Sequence, residues 1–422
     1  MSTKVLFKVK EILAVTYAVF VVGSTFSIAL AQMALGVSLA LFLICAVSER
    51  YNPFSHGLRW FYTFVAAYIG WMALSSIAGP TPLQSLFSLR EDWLFCAIPI
   101  GIYLLQYPRY RRRLVLAFGL GVGVIAVYAI IQFAFGVDIY HSEPLVTAGE
   151  FGWRPRGNFN HRLTFGNYYV TAAMGLLGYA TIKSQTLSSR WRHILLIAAA
   201  LASVAVALTI SRGVLLSLVV VLIGYAFTRS RRYLAAMTGV LVLGTVLMAL
   251  TLPILMDRFG DAINKETDPQ FEGGRLFIWS HSLEMIGDHP VFGVGLGNFR
   301  PNYESHLRPD ILEARKHAHA HNDLINIAAT TGIPGALVFA GLWLVALSLF
   351  WRGWRAGSGQ DEDARRCSLA ALLASTTFFI TSLTEATFAD EEVRQMLMFV
   401  WAVGLWPWYN KRPGSTTAGK TS

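Results

Sequence analysis

Apolar residues along this chain come in long runs separated by short polar clusters, and they seldom recur at the third-or-fourth spacing of an amphipathic core helix. About 20 mostly apolar residues suffice to cross the hydrocarbon core of a bilayer as a helix, so the pattern predicts membrane spans. Twelve runs qualify as candidates, near 12–29, 31–48, 60–79, 89–106, 114–135, 163–182, 192–210, 213–228, 233–252, 333–351, 368–384 and 393–409. The first follows Lys4, Lys8 and Lys10 and reaches Ala29-Leu30-Ala31, a passable signal-peptidase site. Its apolar stretch is longer than the roughly 7–15 residues of a cleaved leader, so it reads as a retained span.

Composition agrees with this reading, since 54% of the 422 residues are hydrophobic and only 14% are charged. The formal net charge of +10 would suit a nucleic-acid partner, but its distribution points elsewhere. With the N-terminus in the cytoplasm, most Lys and Arg fall in short inward-facing segments, as the positive-inside rule requires, and both termini lie inside. The charge then serves topology and anionic lipid, with no nucleic acid implied. Cys45, Cys96 and Cys367 are far apart and mostly in apolar surroundings, so they indicate neither a disulfide framework nor a thiolate metal site.

Once the chain is threaded this way, its unusual polar residues gather on the outer face. Residues 1–252 would hold nine spans and a long outer loop at about 136–162. Residues 253–320 would form a larger outer loop, 321–410 the last three spans, and 411–422 a cytoplasmic tail. Loops this long are uncommon without a function. Within the larger one, Leu276, Trp279, Leu283 and Ile286 recur at helical spacing before Pro290, which predicts an amphipathic helix on the membrane surface or over a cavity. The following Gly293, Gly295 and Gly297 lack a surrounding βαβ unit and predict a tight turn packed on the bundle.

Several cations are candidates for anion binding. Arg212 in TISRGV stands at the outer boundary of two apolar runs, where any small polar residue would close a hairpin. Arg154, Arg156, His161 and Arg162 crowd into nine residues before a span, against the positive-inside bias. A solvated basic loop and an interfacial arginine remain the plain alternatives. The segment HAHAHND at 317–323 alternates three histidines. An extended strand would put all three rings on one side, as a metal site needs, whereas a helix would turn them about 200° apart per step of two. Because Asn322 to Thr331 runs on into a span, a helical start is favoured, with His321 as a base and His317 and His319 at the surface or an acceptor.

The order RPRGNFNHRLTFGNY at 154–168, SRG at 211–213, GGRLFIW at 273–279 with DHPVFGVGLGNF at 288–299, and HNDLINIAATTGIPG at 321–335 resembles the O-antigen ligases and the related O-antigen polymerases. The most specific element, H-N-x₉-G-x-x-G, is met by His321, Asn322, Gly332 and Gly335, and favours ligase over polymerase. The resemblance implies an all-α polytopic membrane protein of about 12 transmembrane helices, a GT-C-like glycosyltransferase with a large periplasmic loop. It implies transfer of O-antigen from undecaprenyl pyrophosphate to a sugar hydroxyl of the lipid A core, at the periplasmic face of the inner membrane, without metal or other cofactor and with inversion.

By motif, His321 corresponds to the family's essential histidine, and Arg212 and Arg275 to arginines that engage the pyrophosphate. Arg156 fits more loosely, with His161, Arg154, Asn322, Asp323 and His319 as secondary candidates and Asp323 or a backbone carbonyl fixing the histidine tautomer. A protein O-oligosaccharyltransferase would share the donor. A secondary transporter is the rival from another class, although the two halves show no repeat of the kind many transporters carry.

Overall fold

The computed structural model describes residues 2–147, 152–229, 274–308, 318–356 and 361–409. Within them the chain is helical, with two isolated β-bridges, Thr147 to Trp153 and Ser184 to Leu187, as its extended pairing. The helices are α1 (Thr3–Gly23), α2 (Ile28–Glu49), α3 (Arg59–Ala78), α4 (Pro82–Ser88), α5 (Ala97–Leu105), α6 (Pro108–Phe135) and α7 (Arg162–Thr181). They continue with α8 (Ser189–Leu208), α9 (Arg212–Arg229), α10 (Arg275–Asp288), α11 (Phe299–His306), α12 (Asp323–Arg355), α13 (Glu362–Ser382) and α14 (Glu391–Leu405). The expected ninth span near 233–252 lies outside the described residues, as do His317, much of the larger loop and the tail.

Among the described residues, six helical stretches are long and apolar enough to cross a membrane: 28–49, 56–78, 108–135, 189–208, 212–229 and 323–355. The run expected near 89–106 departs from this, because Leu89–Cys96 is a 3₁₀ turn carrying Glu91 and Asp92, followed by the nine-residue α5. The chain is an all-α membrane protein in which α7, α13 and α14 form the interior, buried along most of their length. Small residues bring these helices together. A Cβ on Gly178 of α7 would stand 2.9 Å from both the Ala370 Cα and the Leu369 carbonyl of α13, the close backbone approach that drives association where lipid is as apolar as the side chains. Below the site, the buried Trp343 stacks on Phe378 at 5.3 Å and meets Trp401 edge-on at 5.1 Å.

Helix α12 is broken at Gly332, which takes φ +79°, and Pro334 follows without an N–H to continue the ladder. The Gly293–Gly297 turn sits in the break, as the sequence predicts. Its Val294 and Gly295 amides donate to the Ala329 and Thr330 carbonyls at 3.0 and 2.8 Å, Trp71 donates to Thr331 O at 2.9 Å, and the Ile333 amide donates back to Pro290 O at 2.8 Å. A Cβ on Gly332 would fall 1.9 Å from Val291 O, so the backbone of 291–292 occupies the space a side chain would need. This contact accounts for the first glycine of the G-x-x-G pair.

The expected helix forms as α10. Phe277, Ile278, Ser282 and Met285 face inward, while Leu276 and Leu283 are exposed. Its first residue, Arg275, is paired to Glu385 on the bundle.

Two glycine replacements check the helix packing. Gly178→Ala should lower the Tm in detergent by an amount matching about 1–3 kcal/mol of overpacking. Gly224→Ala in α9, where a Cβ meets nothing within 4 Å, should keep or raise the Tm, because alanine is the better helix former. Equal Tm values for the two variants would contradict the tight crossing of α7 and α13.

Candidate active site

Four chain segments converge at one end of the interior helices. The α8–α9 turn supplies Ile210, Ser211 and Arg212, α7 begins there with Arg162, α10 begins with Arg275, and the segment before α12 brings His321. The fifth contributor, Glu385, comes from the α13–α14 loop. Together they line a cavity of about 220 Å³ whose wall holds three guanidinium groups, one imidazole and one carboxylate.

Local geometry shows how each is placed. Ile210 and His321 have φ of +54° and +50°, and both line this cavity. A left-handed conformation is unfavourable for residues other than glycine, most of all for a β-branched one, and such strain concentrates at functional sites. After Ile210, Gly213 lets α9 start against the α13–α14 loop, since a Cβ there would lie 2.3 Å from Thr384 Oγ1. The S-R-G turn thereby sets Arg212 on the wall of the cavity that Glu385 also lines.

The segment 321–323 is tied to that loop by three successive residues. His321 Nδ1 lies 2.9 Å from Glu385 Oε2. Asn322 Nδ2 donates to Leu383 O at 3.1 Å, while its Oδ1 caps α12 by accepting from Ile325 N. Asp323 accepts from the Phe388 amide with both oxygens at 3.2 Å. Helix α12 thus starts at Asp323, two residues later than His321, because Asn322 is extended and acts as its N-cap. The histidines before it adopt neither expected geometry: His319 and His321 have ring centroids 4.4 Å apart, and His319 Nδ1 accepts the His321 amide at 3.2 Å.

Glu385 is a cavity-lining residue that sequence reasoning missed. Its carboxylate is 3% exposed and accepts from Arg275 as well as from His321, while Arg275 Nε donates to Thr384 O at 2.8 Å. Burial alone would raise this carboxyl, but the His321 hydrogen bond and the charges of His321, Arg275 and His319 outweigh it and hold the group below its ordinary value. A carboxylate only accepts, so the neutral imidazole carries its proton on Nδ1, which makes Nε2 the nitrogen able to accept a proton. The tautomer assignment expected of Asp323 therefore falls to Glu385. The signal in the sequence was there: Glu385, Asp390, Glu391 and Glu392 crowd between two apolar runs on the same outer side as the histidines.

Arg212, Arg275 and His321 line one cavity. Arg156 does not line the cavity, for its Nε donates to Asp138 at 2.9 Å and its NH2 to Glu143 O at 2.8 Å. It orders the first outer loop together with Gln132, which accepts the Gly157 amide at 2.7 Å. His161 is the exposed N-cap residue of α7. Arg154 is partly buried and anchored by its amide to Val146 O at 2.8 Å. Among the described residues no three His, Cys, Asp or Glu side chains are grouped to hold a metal ion.

A second polar cluster marks the opposite ends of the same helices. Asp363, at the start of α13, accepts from Arg111, Arg366, Ser184 and Thr186. Lys10 pairs there with Glu49 of α2, and Arg109 with Glu11 of α1.

Residues 197–340 match the family model described as O-antigen ligase, a stretch that runs from α8 past the break in α12 and includes Arg212, Arg275, His321, Gly332 and Gly335. No curated protein matches the chain. The family match falls on the left-handed arginine turn, the start of α10 and the H-N-x₉-G-x-x-G segment, and supports membership of the O-antigen ligase superfamily.

Proposed function

We propose that the protein transfers O-antigen from undecaprenyl pyrophosphate to a sugar hydroxyl of the lipid A core, at the periplasmic face of the inner membrane. The observation that carries this reading is the single cavity in which Arg162, Arg212 and Arg275 surround the His321–Glu385 pair. Three fixed guanidinium groups suit a pyrophosphate, which they can grip through paired hydrogen bonds. The basic cluster around Lys10, Arg109, Arg111 and Arg366 lies at the other ends of the helices, which supports a cytoplasmic placement for it and a periplasmic one for the cavity.

In this reading the acceptor hydroxyl oxygen attacks the anomeric carbon of the donor. Its proton passes to His321 Nε2, and the bond from that carbon to the pyrophosphate oxygen breaks. The leaving undecaprenyl pyrophosphate keeps the electron pair and needs no proton, because the arginines stabilise its charge in place. Glu385 fixes the imidazole orientation and balances the imidazolium that forms, as the buried carboxylate of a catalytic triad does. Arg275 bridges the two halves of the site, since it lines the donor cavity while paired to the carboxylate that holds the base. One displacement of this kind inverts the anomeric configuration. Polymerase and protein-glycosylating readings share every step except the acceptor.

Purified protein given an undecaprenyl pyrophosphate glycan and lipid A core should form the joined product. His321→Ala should lower its rate by at least about 10²–10⁴, the range of a lost general base. Arg212→Lys and Arg275→Lys, which keep the charge and lose the planar fork, should each cost roughly 10². Arg112→Lys, at the cytoplasmic start of α6, should change nothing. Elongation of a second lipid-linked glycan, with lipid A core left unmodified, would turn the reading to polymerase.

Glu385 gives a pH-dependent check. Its folded-state value is depressed, so the stability it contributes is present above the unfolded value near 4.3 and is lost as pH falls through the folded one. The Tm of Glu385→Gln should lie below wild type at pH 7, and the gap should close as pH drops below about 4. A gap that stays constant between pH 7 and 3 would mean that the carboxylate charge does not hold this loop.

A further inference from the structure

The donor cavity shares a wall with a second one of about 300 Å³, at the lower end of the usual size for ligand sites. The wall is made by two short segments. In 318–323, His321 faces the donor cavity while Ala318, His319 and Asp323 face the second. In the α13–α14 loop, Glu385 faces the first and Ala386, Phe388 and Asp390 the second. The two imidazoles touching across this wall, 4.4 Å between centroids, leave His321 one side chain away from the second cavity.

The two cavities differ in the sign of their linings. Guanidinium groups dominate the first, whereas Glu91, Asp92, Asp323 and Asp390 line the second. The cation on that wall, Arg394, is engaged by Asp92, Glu91 and the Phe388 and Ala389 carbonyls, so it props the loop and offers no grip to an anion. Asp323 is 2% exposed, and its two oxygens share one donor, the Phe388 amide, which leaves acceptor capacity toward the cavity. Burial pushes the Asp390 carboxyl up to about 7, so near neutral pH it both donates and accepts. Phe388 adds an apolar ring face to the same wall.

An anionic pyrophosphate is drawn to the first cavity, whereas the second, whose Arg394 is already engaged and whose Asp323 and Asp390 burial holds toward the neutral form, presents carboxyl groups that a polyol can bond. We infer that the second cavity seats the acceptor, as an unphosphorylated sugar unit whose hydroxyls bond to Asp323 and Asp390 and whose attacking hydroxyl reaches His321 past His319. This rests on the transferase reading and assigns its second substrate a place. Two substrates that both carry sugars would then be kept apart by the guanidinium groups, which draw the anionic one to the first cavity.

Ser88, half-buried on the wall of this cavity and bonded to nothing farther away than Gln84 O, is the place to close it. The probe is a deacylated core oligosaccharide with its phosphates removed, followed by saturation-transfer NMR on the full-length protein in detergent. Wild type and Ser88→Ala should both give saturation transfer, and Ser88→Trp should lose it, with the Kd for undecaprenyl pyrophosphate unchanged within about twofold in all three. In turnover, Ser88→Trp should raise the acceptor KM at least about tenfold and leave the donor KM alone. Unchanged oligosaccharide binding and acceptor KM in Ser88→Trp would overturn the assignment while transfer itself stands. A raised donor KM would overturn it too, by giving the cavity to the donor glycan. Oligosaccharide that binds wild type, is lost in Ser88→Trp and is never glycosylated would sink the transferase reading and leave a sugar site.

Discussion

The clamp between residues 321–323 and the α13–α14 loop is the constraint from which the site follows. Three consecutive side chains engage the same loop in three ways: an imidazole on Glu385, an amide on Leu383 O and a carboxylate on the Phe388 amide. Arg394 then ties Phe388 O to Asp92 at 3.0 Å, so the loop is fixed from below as well. Each bond alone is worth about 1 kcal/mol net, and more where a charge takes part. Together they hold His321 in an unfavourable left-handed conformation and aim its ring at the arginines.

The glycine-rich turn solves a second problem, that of bringing a distant loop helix onto the bundle. A break at Gly332 exposes carbonyls of α12, and the amides of Val294 and Gly295 satisfy them. Because α10 precedes this turn directly, the docking of 291–295 delivers α10 over the cavity, and Arg275 completes the connection by pairing with Glu385. Glycine is needed at 332 for its φ and for the approach of Val291 O, which makes the H-N-x₉-G-x-x-G spacing a mechanical link between the base and the loop helix.

Much of this was legible in the sequence. The helical runs follow from hydropathy, Arg212 stands out because an ionisable residue at a membrane boundary needs a reason, and Arg275 and His321 stand out through the motifs that resemble the O-antigen ligases. The residues that escaped are those whose meaning depends on the fold. Glu385 lies 64 positions from His321 in a short loop, and its value comes only from the contact. Apolar residues occur on more than one side of α10, and which of them pack on the protein depends on Val294, Phe299 and Tyr303, contacts that spacing alone does not reveal. Arg156 reads in the sequence like the other arginines, yet Asp138, eighteen residues earlier, takes its guanidinium.

A charge-sorted pair of cavities around one imidazole is an economical arrangement for joining two lipid-borne glycans. In the proposed reaction, the anionic donor and the hydroxylated acceptor would approach His321 from opposite sides of a wall two short segments thick. The most direct test is a structure of the full-length protein with undecaprenyl pyrophosphate bound. The account expects the pyrophosphate between the guanidinium groups of Arg212 and Arg275, with His321 Nε2 turned toward it and Glu385 still on Nδ1. A pyrophosphate bound at Arg156 or at the Arg111–Arg366 end, with the His321 cavity empty, would contradict it.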